Sequence, residues 1–567
     1  MAAHRARRRE DSMSAWRKPW WPVAALSGAV AAVLVSAVPP TAPPDRAADR
    51  TTAPVPARYA HQRLHWQPCA AKPSLECARM TVPRDWHHPG TGADLTIEVS
   101  RHRAAGPARR RGVLMMAAGG PGASGLTRPA DFVARSPSVG AAYDVVGFDQ
   151  RGVGSSTPAQ CQTDAEFRTF YAHDFRDRSP AALRGVLARS RQLVAGCLRH
   201  SGDLVRRLTT DQAVRDMDLF RALLGVRKIS YYGPSYATWL GAYYATKFPE
   251  RIERAVLDSN EDFSGTWQHA QGGLPKSFQR RFEQDFLPWI ARYDTTYHYG
   301  RTAAAAKARW EARRHALHEH PLTVGTLTIG PNQLDNATIL SMYNARQFPQ
   351  LAAALRALDH WPSTPPAGRT RVAQLFASYL SPGFAAVYAS VTCNDTPWHG
   401  DLDYWLDRSA KDAAAYPLVG ARELAYAATC AAWPVSDAPH VRVTGRGLPT
   451  TLMLNSVHDP ATYYEGARAA HRALRGSRLV TVTGGGDHGQ YQNGNACVDG
   501  IVNAYLLGKT APDHDVTCAA DPLPVPGGRV APSHARRTRS SVLRSAAVPA
   551  IFSWTPSVRP AARPGAL

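Results

Sequence analysis

No two cysteines of this chain stand at the Cys-x-x-Cys spacing of a zinc or redox site, which gives no reason to expect a structural metal. No apolar run reaches the ~20 residues a helix needs to cross a bilayer, and no segment repeats another, so multi-span membrane proteins and repeat arrays are set aside. Acidic side chains are scarce, 45 Asp and Glu against 67 Lys and Arg, a formal charge of +22. Taken alone, that charge points to nucleic acid or an anionic surface. Its distribution says otherwise. Half of the excess lies in residues 1–50 and 527–567, and the last 41 residues contain seven Arg and no acid. The middle is only mildly basic, and no nucleic-acid partner is expected. With 44% hydrophobic and 20% charged residues over 567 positions, the chain can bury a sizeable core.

The N-terminus reads as an export signal. Arg5, Arg7, Arg8, Arg9, Arg17 and Lys18 precede the apolar run 23–38, and Pro39, Pro40, Pro43 and Pro44 follow. The run suits a signal-peptide core, with an uncleaved membrane anchor as the alternative. Residues 1–50 are therefore expected to be signal peptide and Pro/Ala-rich linker. The mature chain is expected to be secreted or envelope-associated, with no stable membrane span. The eight cysteines agree with an oxidising compartment. They allow about 105 connectivities. Sequential pairing closes the shortest loops and is expected: Cys69–Cys77, Cys161–Cys197, Cys393–Cys430 and Cys497–Cys518.

Along the mature chain, residues 95–101 alternate like a strand, and two short apolar runs, 112–117 and 143–148, end in Gly- or Asp-rich turns. Thr210 can cap a helix that ends at Gly225. A strand (228–232), a helix (236–248) stopped by Pro249 and a strand (252–257) follow. Residues 263–440 break this rhythm, with helices expected near 303–319 and 351–358. It resumes at 448–455, 464–474, 479–483 and 498–507. Strand and helix alternation implies an α/β fold with a mostly parallel central sheet flanked by helices. A core split into 51–262 and 441–526 would carry a mainly helical cap at 263–440, and residues 527–567 read as a disordered basic tail.

The most informative segment is Gly233-Pro234-Ser235-Tyr236-Ala237, a Gly-x-Ser-x-small pattern at an expected strand-to-helix junction. A serine there sits on a sharp turn with its Oγ above the sheet edge. It needs a base to take its proton and an acid to orient that base. In a sheet enzyme both should follow it on loops after late strands. Asp459 and His488 occupy such positions, the latter in Gly484-Gly485-Gly486-Asp487-His488-Gly489; His458 and Asp487 are adjacent decoys. The oxyanion of an acyl-transfer reaction would be held by backbone N–H groups of Tyr236 and of Gly120, within Gly119-Gly120-Pro121-Gly122.

Taken together with Tyr143-Asp144-Val145-Val146-Gly147-Phe148-Asp149-Gln150-Arg151-Gly152-Val153-Gly154-Ser155-Ser156, Val391-Thr392-Cys393-Asn394-Asp395 and Asn495-Ala496-Cys497-Val498-Asp499-Gly500, these blocks resemble the secreted tripeptidyl aminopeptidases, proline iminopeptidase-like serine peptidases of the α/β-hydrolase superfamily. The resemblance runs from about Trp66 to Pro526. It implies the α/β-hydrolase fold, a Ser235-Asp459-His488 triad, a cap over the site and release of short peptides from free N-termini. Two departures stand out: Ala237 where the family usually has Gly, and Ala117-Ala118 where Asn-Pro or His is usual.

An exopeptidase that counts from the N-terminus needs a carboxylate for the substrate ammonium. Glu261, Asp262 and Asp395 are the candidates. The same triad also attacks esters, so a secreted carboxylesterase or lipase is the alternative, and a catalytically weak hydrolase-fold binding protein is a further one. Dehalogenase and epoxide-hydrolase chemistry would need a carboxylate where Ser235 stands. No metal or organic cofactor is implied, since Trp86-His87-His88 has no further ligand at useful spacing.

Overall fold

The computed structural model describes residues 55–106, 110–325, 327–377 and 381–527. The expected signal and linker (1–50) and the basic tail from residue 528 onward lie outside the described residues.

The chain forms twelve strands among the described residues: β1 (Gln67–Pro68), β2 (Glu76–Val82), β3 (Leu95–His102), β4 (Gly112–Met116), β5 (Tyr143–Phe148), β6 (Ile229–Ser235), β7 (Ile252–Asn260), β8 (Leu322–Val324), β9 (Leu327–Ile329), β10 (Leu452–Ser456), β11 (Arg478–Thr483) and β12 (Val516–Ala519). Ten of them make one sheet in the order β1-β2-β3-β5-β4-β6-β7-β10-β11-β12, while β8 and β9 pair as a separate hairpin. Pairing is antiparallel from β1 to β5 across β3 and parallel from β5 to β12. The central parallel strands β4, β5 and β10 are buried on both faces, as a sheet covered by crossover helices must be.

Alternate residues of β4 enter opposite cores, as period-two geometry requires. Val113 and Met115 pack with the helices Thr210–Leu223 and Tyr236–Lys247, which supply Val214, Met217, Trp239 and Tyr243. Leu114 and Met116 pack with Phe132, Val498 and Val502 on the other side. This is the α/β-hydrolase architecture that the sequence implied. Between the end of β7 at Asn260 and the start of β10 at Leu452 lies the inserted helical region, with a hydrophobic core of its own around Phe286, Trp289, Trp310 and Phe348.

Several element limits differ from the expected ones. β6 and β7 run three residues further, to Ser235 and Asn260, and this extension carries the strands up to the site. β10 starts at Leu452 rather than 448, after Pro449, which has no N–H to give to a ladder. The structure joins Cys69 to Cys77, Cys161 to Cys197, Cys393 to Cys430 and Cys497 to Cys518, with no free cysteine among the described residues. Among those residues no helix is long and apolar enough to cross a membrane.

Candidate active site

Ser235 is the last residue of β6 and the N-cap of the helix Tyr236–Lys247, at φ 60° and ψ −133°. A non-glycine residue is strained there, and the surroundings impose the conformation. A side chain on Gly233 would meet the Tyr231 hydroxyl at 2.6 Å and the Ala237 carbonyl at 2.7 Å. One on Gly119 would meet Ser235 Cβ at 2.9 Å and the Pro234 carbonyl at 3.0 Å, so the Gly119-Gly120 main chain lies directly against the serine. Ala237, the departure at the turn, is fully buried, and its carbonyl accepts the Tyr231 hydroxyl at 2.6 Å. Ala117 and Ala118 are buried as well. The Thr238 hydroxyl bonds back to the Ser235 carbonyl at 2.7 Å and receives the Glu261 N–H at 3.0 Å, joining the turn to the end of β7.

Asp459 follows β10 and is wholly buried; its Oδ1 accepts the N–H groups of Ala461 (3.0 Å) and Thr462 (2.9 Å). His488 Nδ1 lies 3.0 Å from Oδ1 and 3.1 Å from Oδ2 of this carboxylate. The other ring nitrogen, Nε2, is buried without a hydrogen-bond partner. Burial alone would pull the imidazole pKa down, but Asp459, by charge and hydrogen bond, and Asp258, by charge, raise it on balance. The His488 N–H donates to the Tyr343 carbonyl of the insert at 2.7 Å, and the Tyr343 ring meets the imidazole edge-on at 5.1 Å. The two decoys turn away: His458 pairs with Asp285 at 2.9 Å, and Asp487 with Arg281.

The three candidate ammonium receptors fare differently. The Asp395 carboxylate takes the N–H (2.7 Å) and hydroxyl (2.5 Å) of Thr210 and the indole N–H of Trp267 (3.3 Å). Thr210 in turn meets the Tyr236 hydroxyl at 3.0 Å, so Asp395 braces the residue after Ser235 instead of facing a ligand. Asp262 is bonded by Ser264, by Tyr463 at 3.3 Å and by His269 at 3.3 Å. Glu261 is partly accessible, and its carboxylate meets no cation or donor among the described residues. Burial, with the charges of Asp459 and Asp262, pushes its pKa up to about 8. Above the site, the Phe384 ring lies 3.0 Å from where a Gly120 side chain would start. Phe384 stacks on Tyr388 at 6.0 Å, and Tyr388 meets Tyr426 at 5.8 Å.

A family model described as "TAP-like protein" matches residues 416–518. Over 494 residues the chain is 34% identical to a tripeptidyl aminopeptidase of Streptomyces coelicolor, an alignment covering 83% of this chain and 88% of that protein. The chain belongs to the tripeptidyl aminopeptidase-like family of α/β-hydrolases. It is thus an enzyme of the serine-hydrolase superfamily. Other relatives in this α/β-hydrolase family divide by name. The serine protease Hip1 of Mycobacterium tuberculosis is 29% identical over 491 residues (81% of this chain, 91% of that one). Carboxylesterase B of the same organism is 30% identical over 468 residues (79% and 86%).

In this hydrolase the DQRG block does structural work that its sequence did not disclose. Asp149 Oδ1 gathers Ser124 Oγ (2.6 Å) and the N–H groups of Gly125 (2.9 Å) and Leu126 (3.1 Å), which fixes the loop after Gly122. Arg151 forms a buried pair with Asp216 at 2.7 Å. Sequence reasoning also missed Thr210, Trp267, Arg281 and Tyr343. Each bonds a partner more than a hundred positions away in sequence, and none is marked by a motif.

Proposed function

We propose that this hydrolase releases short peptides, tripeptides by the family resemblance, from the free N-termini of peptide substrates. Ser235 Oγ attacks the scissile carbonyl carbon and its proton passes to His488 Nε2, while Asp459 holds the ring through Nδ1. The tetrahedral oxyanion is received by the backbone N–H groups of Gly120 and Tyr236. His488 returns the proton to the departing amine as the C–N bond breaks, and water then hydrolyses the acyl-serine by the same route.

The observation that carries the peptidase reading is Glu261. A partly accessible carboxylate with no cation of its own, close enough to Asp459 and Tyr388 to act on them by charge, suits a substrate ammonium. A charge-assisted bond of this kind is worth ~1.5–3 kcal/mol, roughly 10- to 150-fold in discrimination. The four disulfides support an oxidising, extracytoplasmic location, in keeping with an N-terminal export signal. Free and N-acetylated tripeptide anilides test the reading, with a mass-spectrometric product ladder from an unblocked peptide. Release of tripeptides from the free form and at least a 10-fold loss on acetylation are expected; equal cleavage of both would sink it. The second reading, a carboxylesterase, is favoured by the carboxylesterase B relative, and faster turnover of short acyl esters than of any peptide anilide would select it.

A further inference from the structure

The last three residues of β7, Asp258, Ser259 and Asn260, are wholly buried and polar. The first two serve the loop after His488 and the third the strand that leads to Asp459. Asp258 Oδ1 accepts the N–H of Gln490 at 2.8 Å, and Oδ2 accepts the N–H of Tyr491 at 3.0 Å and the hydroxyl of Tyr232 at 2.9 Å. Ser259 Oγ accepts the N–H of Gly489 at 2.8 Å. Three successive N–H groups after His488 are thereby fixed by two successive side chains.

An ordinary strand cannot do this, because neighbouring side chains point to opposite faces. Here Pro234 pairs with Asp258 and Ser235 with Asn260, leaving Ser259 as an extra residue in the ladder. Ser259 adopts φ 57°, a left-handed conformation unfavourable for serine. This is a β-bulge, the device by which a strand re-aims a side chain beside a site. Asn260 completes the arrangement. Its N–H donates to Asn455 Oδ1 at 2.6 Å and its side-chain amide to the Leu454 carbonyl at 2.9 Å, while Asn455 donates to the Thr462 carbonyl at 3.1 Å in the Asp459 loop.

We propose that the bulged end of β7 registers the three catalytic loops on one another, with Asp258 and Ser259 as positioning residues that set the His488 ring. The proposal rests on His488 being the base, and it holds for ester and peptide substrates alike. Asp258 faces only neutral donors and the His488 ring; the ring faces Asp459, Asp258, the Thr462 hydroxyl at 3.3 Å and the edge of Tyr343. Burial pushes Asp258 up to about 6, so it is charged at neutral pH and favours the imidazolium that forms during the reaction.

The test uses p-nitrophenyl acetate, which needs no ammonium receptor, with kcat and KM separated from pH 5 to 9. Asp258→Asn is expected to lower kcat by about 10- to 100-fold at nearly constant KM, the size of effect a misplaced catalytic group produces. The acid limb of kcat/KM should move to lower pH, because a charge favouring imidazolium is gone. Ser259→Ala should lower kcat about 3- to 10-fold through the same loop. Wild-type kcat and an unmoved acid limb in Asp258→Asn overturn the proposal; if that variant does not fold, wild-type kcat in Ser259→Ala does so. His488→Ala in the same assay separates the two claims, since wild-type turnover there overturns the base assignment itself.

Discussion

Ser235 holds its backbone at φ 60°, a conformation that costs a residue with a β-carbon of order 1–3 kcal/mol. Ser235→Ala keeps that cost and removes the oxygen, so activity should fall ~10⁴-fold with melting temperature little changed. Ser235→Gly should be equally inactive and melt higher than the alanine variant, a difference calorimetry reads directly. Glu261→Gln should lower kcat/KM on unblocked peptides about 10- to 150-fold while sparing N-acetylated substrates. Because burial and the charges of Asp459 and Asp262 push Glu261 up to about 8, its ionised form grows as pH rises, while the peptide amine, with pKa ~7.7–8.0, loses its proton. KM for unblocked peptides should therefore pass through a minimum near pH 8, and a blocked substrate should show none. Ser235, Asp459 and His488 were legible as candidates because each sits in a short local pattern at a strand end. Asp258 was not: an acid inside an apolar strand announces nothing about N–H groups 232 and 233 residues away.

The central strands were legible as elements because they are buried on both faces and read as apolar runs. The edges were not. β12 has four residues with one buried side chain, and β1 has two. The longest helix among the described residues, Pro180–Ser201, also passed unread, since its apolar stripe of Val186, Leu193, Val194 and Cys197 is interrupted by arginines at 184, 189 and 191. Besides its ladder with β11, β12 is tied to the helix Ala496–Leu506 by the Cys497–Cys518 bridge, across 21 residues. Replacing both cysteines by serine should cost ~2–4 kcal/mol in chemical denaturation. A midpoint equal to wild type would show that β11 alone holds the edge. Asp395 belongs to this scale too. The sequence presented it as an acid in a cap motif, and only the folded insert shows it bonded to Thr210 and, through Thr210, to the helix that follows Ser235.

For the molecule as a whole, buried acids set the pH dependence of stability. Burial raises Glu261 and Glu423 to about 8 and Asp395 to about 7. A group whose folded pKa is raised stabilises the fold fully below its unfolded value and loses that contribution as pH rises to the folded one. His488, also raised, acts in the same direction. Melting temperature should thus fall from about pH 4.5, where these carboxyls ionise in the unfolded chain, to about 8, and a flat or rising profile there would contradict these environments. At the other end, Glu76 is held near 2 by Arg103 and Arg101, and Asp211 is lowered by His87 and Lys247 against its burial, so stability falls again below the ordinary carboxyl range. The covalent plan carries a last consequence. The four bridges close spans of 8, 36, 37 and 21 residues, and none crosses the β8–β9 hairpin. A protease cut in that hairpin would leave two chains, one bearing Ser235 and the other Asp459 and His488, joined by no covalent bond. They should run apart on a non-reducing gel yet stay assembled in native buffer through the β7–β10 ladder, making this hydrolase a natural two-piece complementation system.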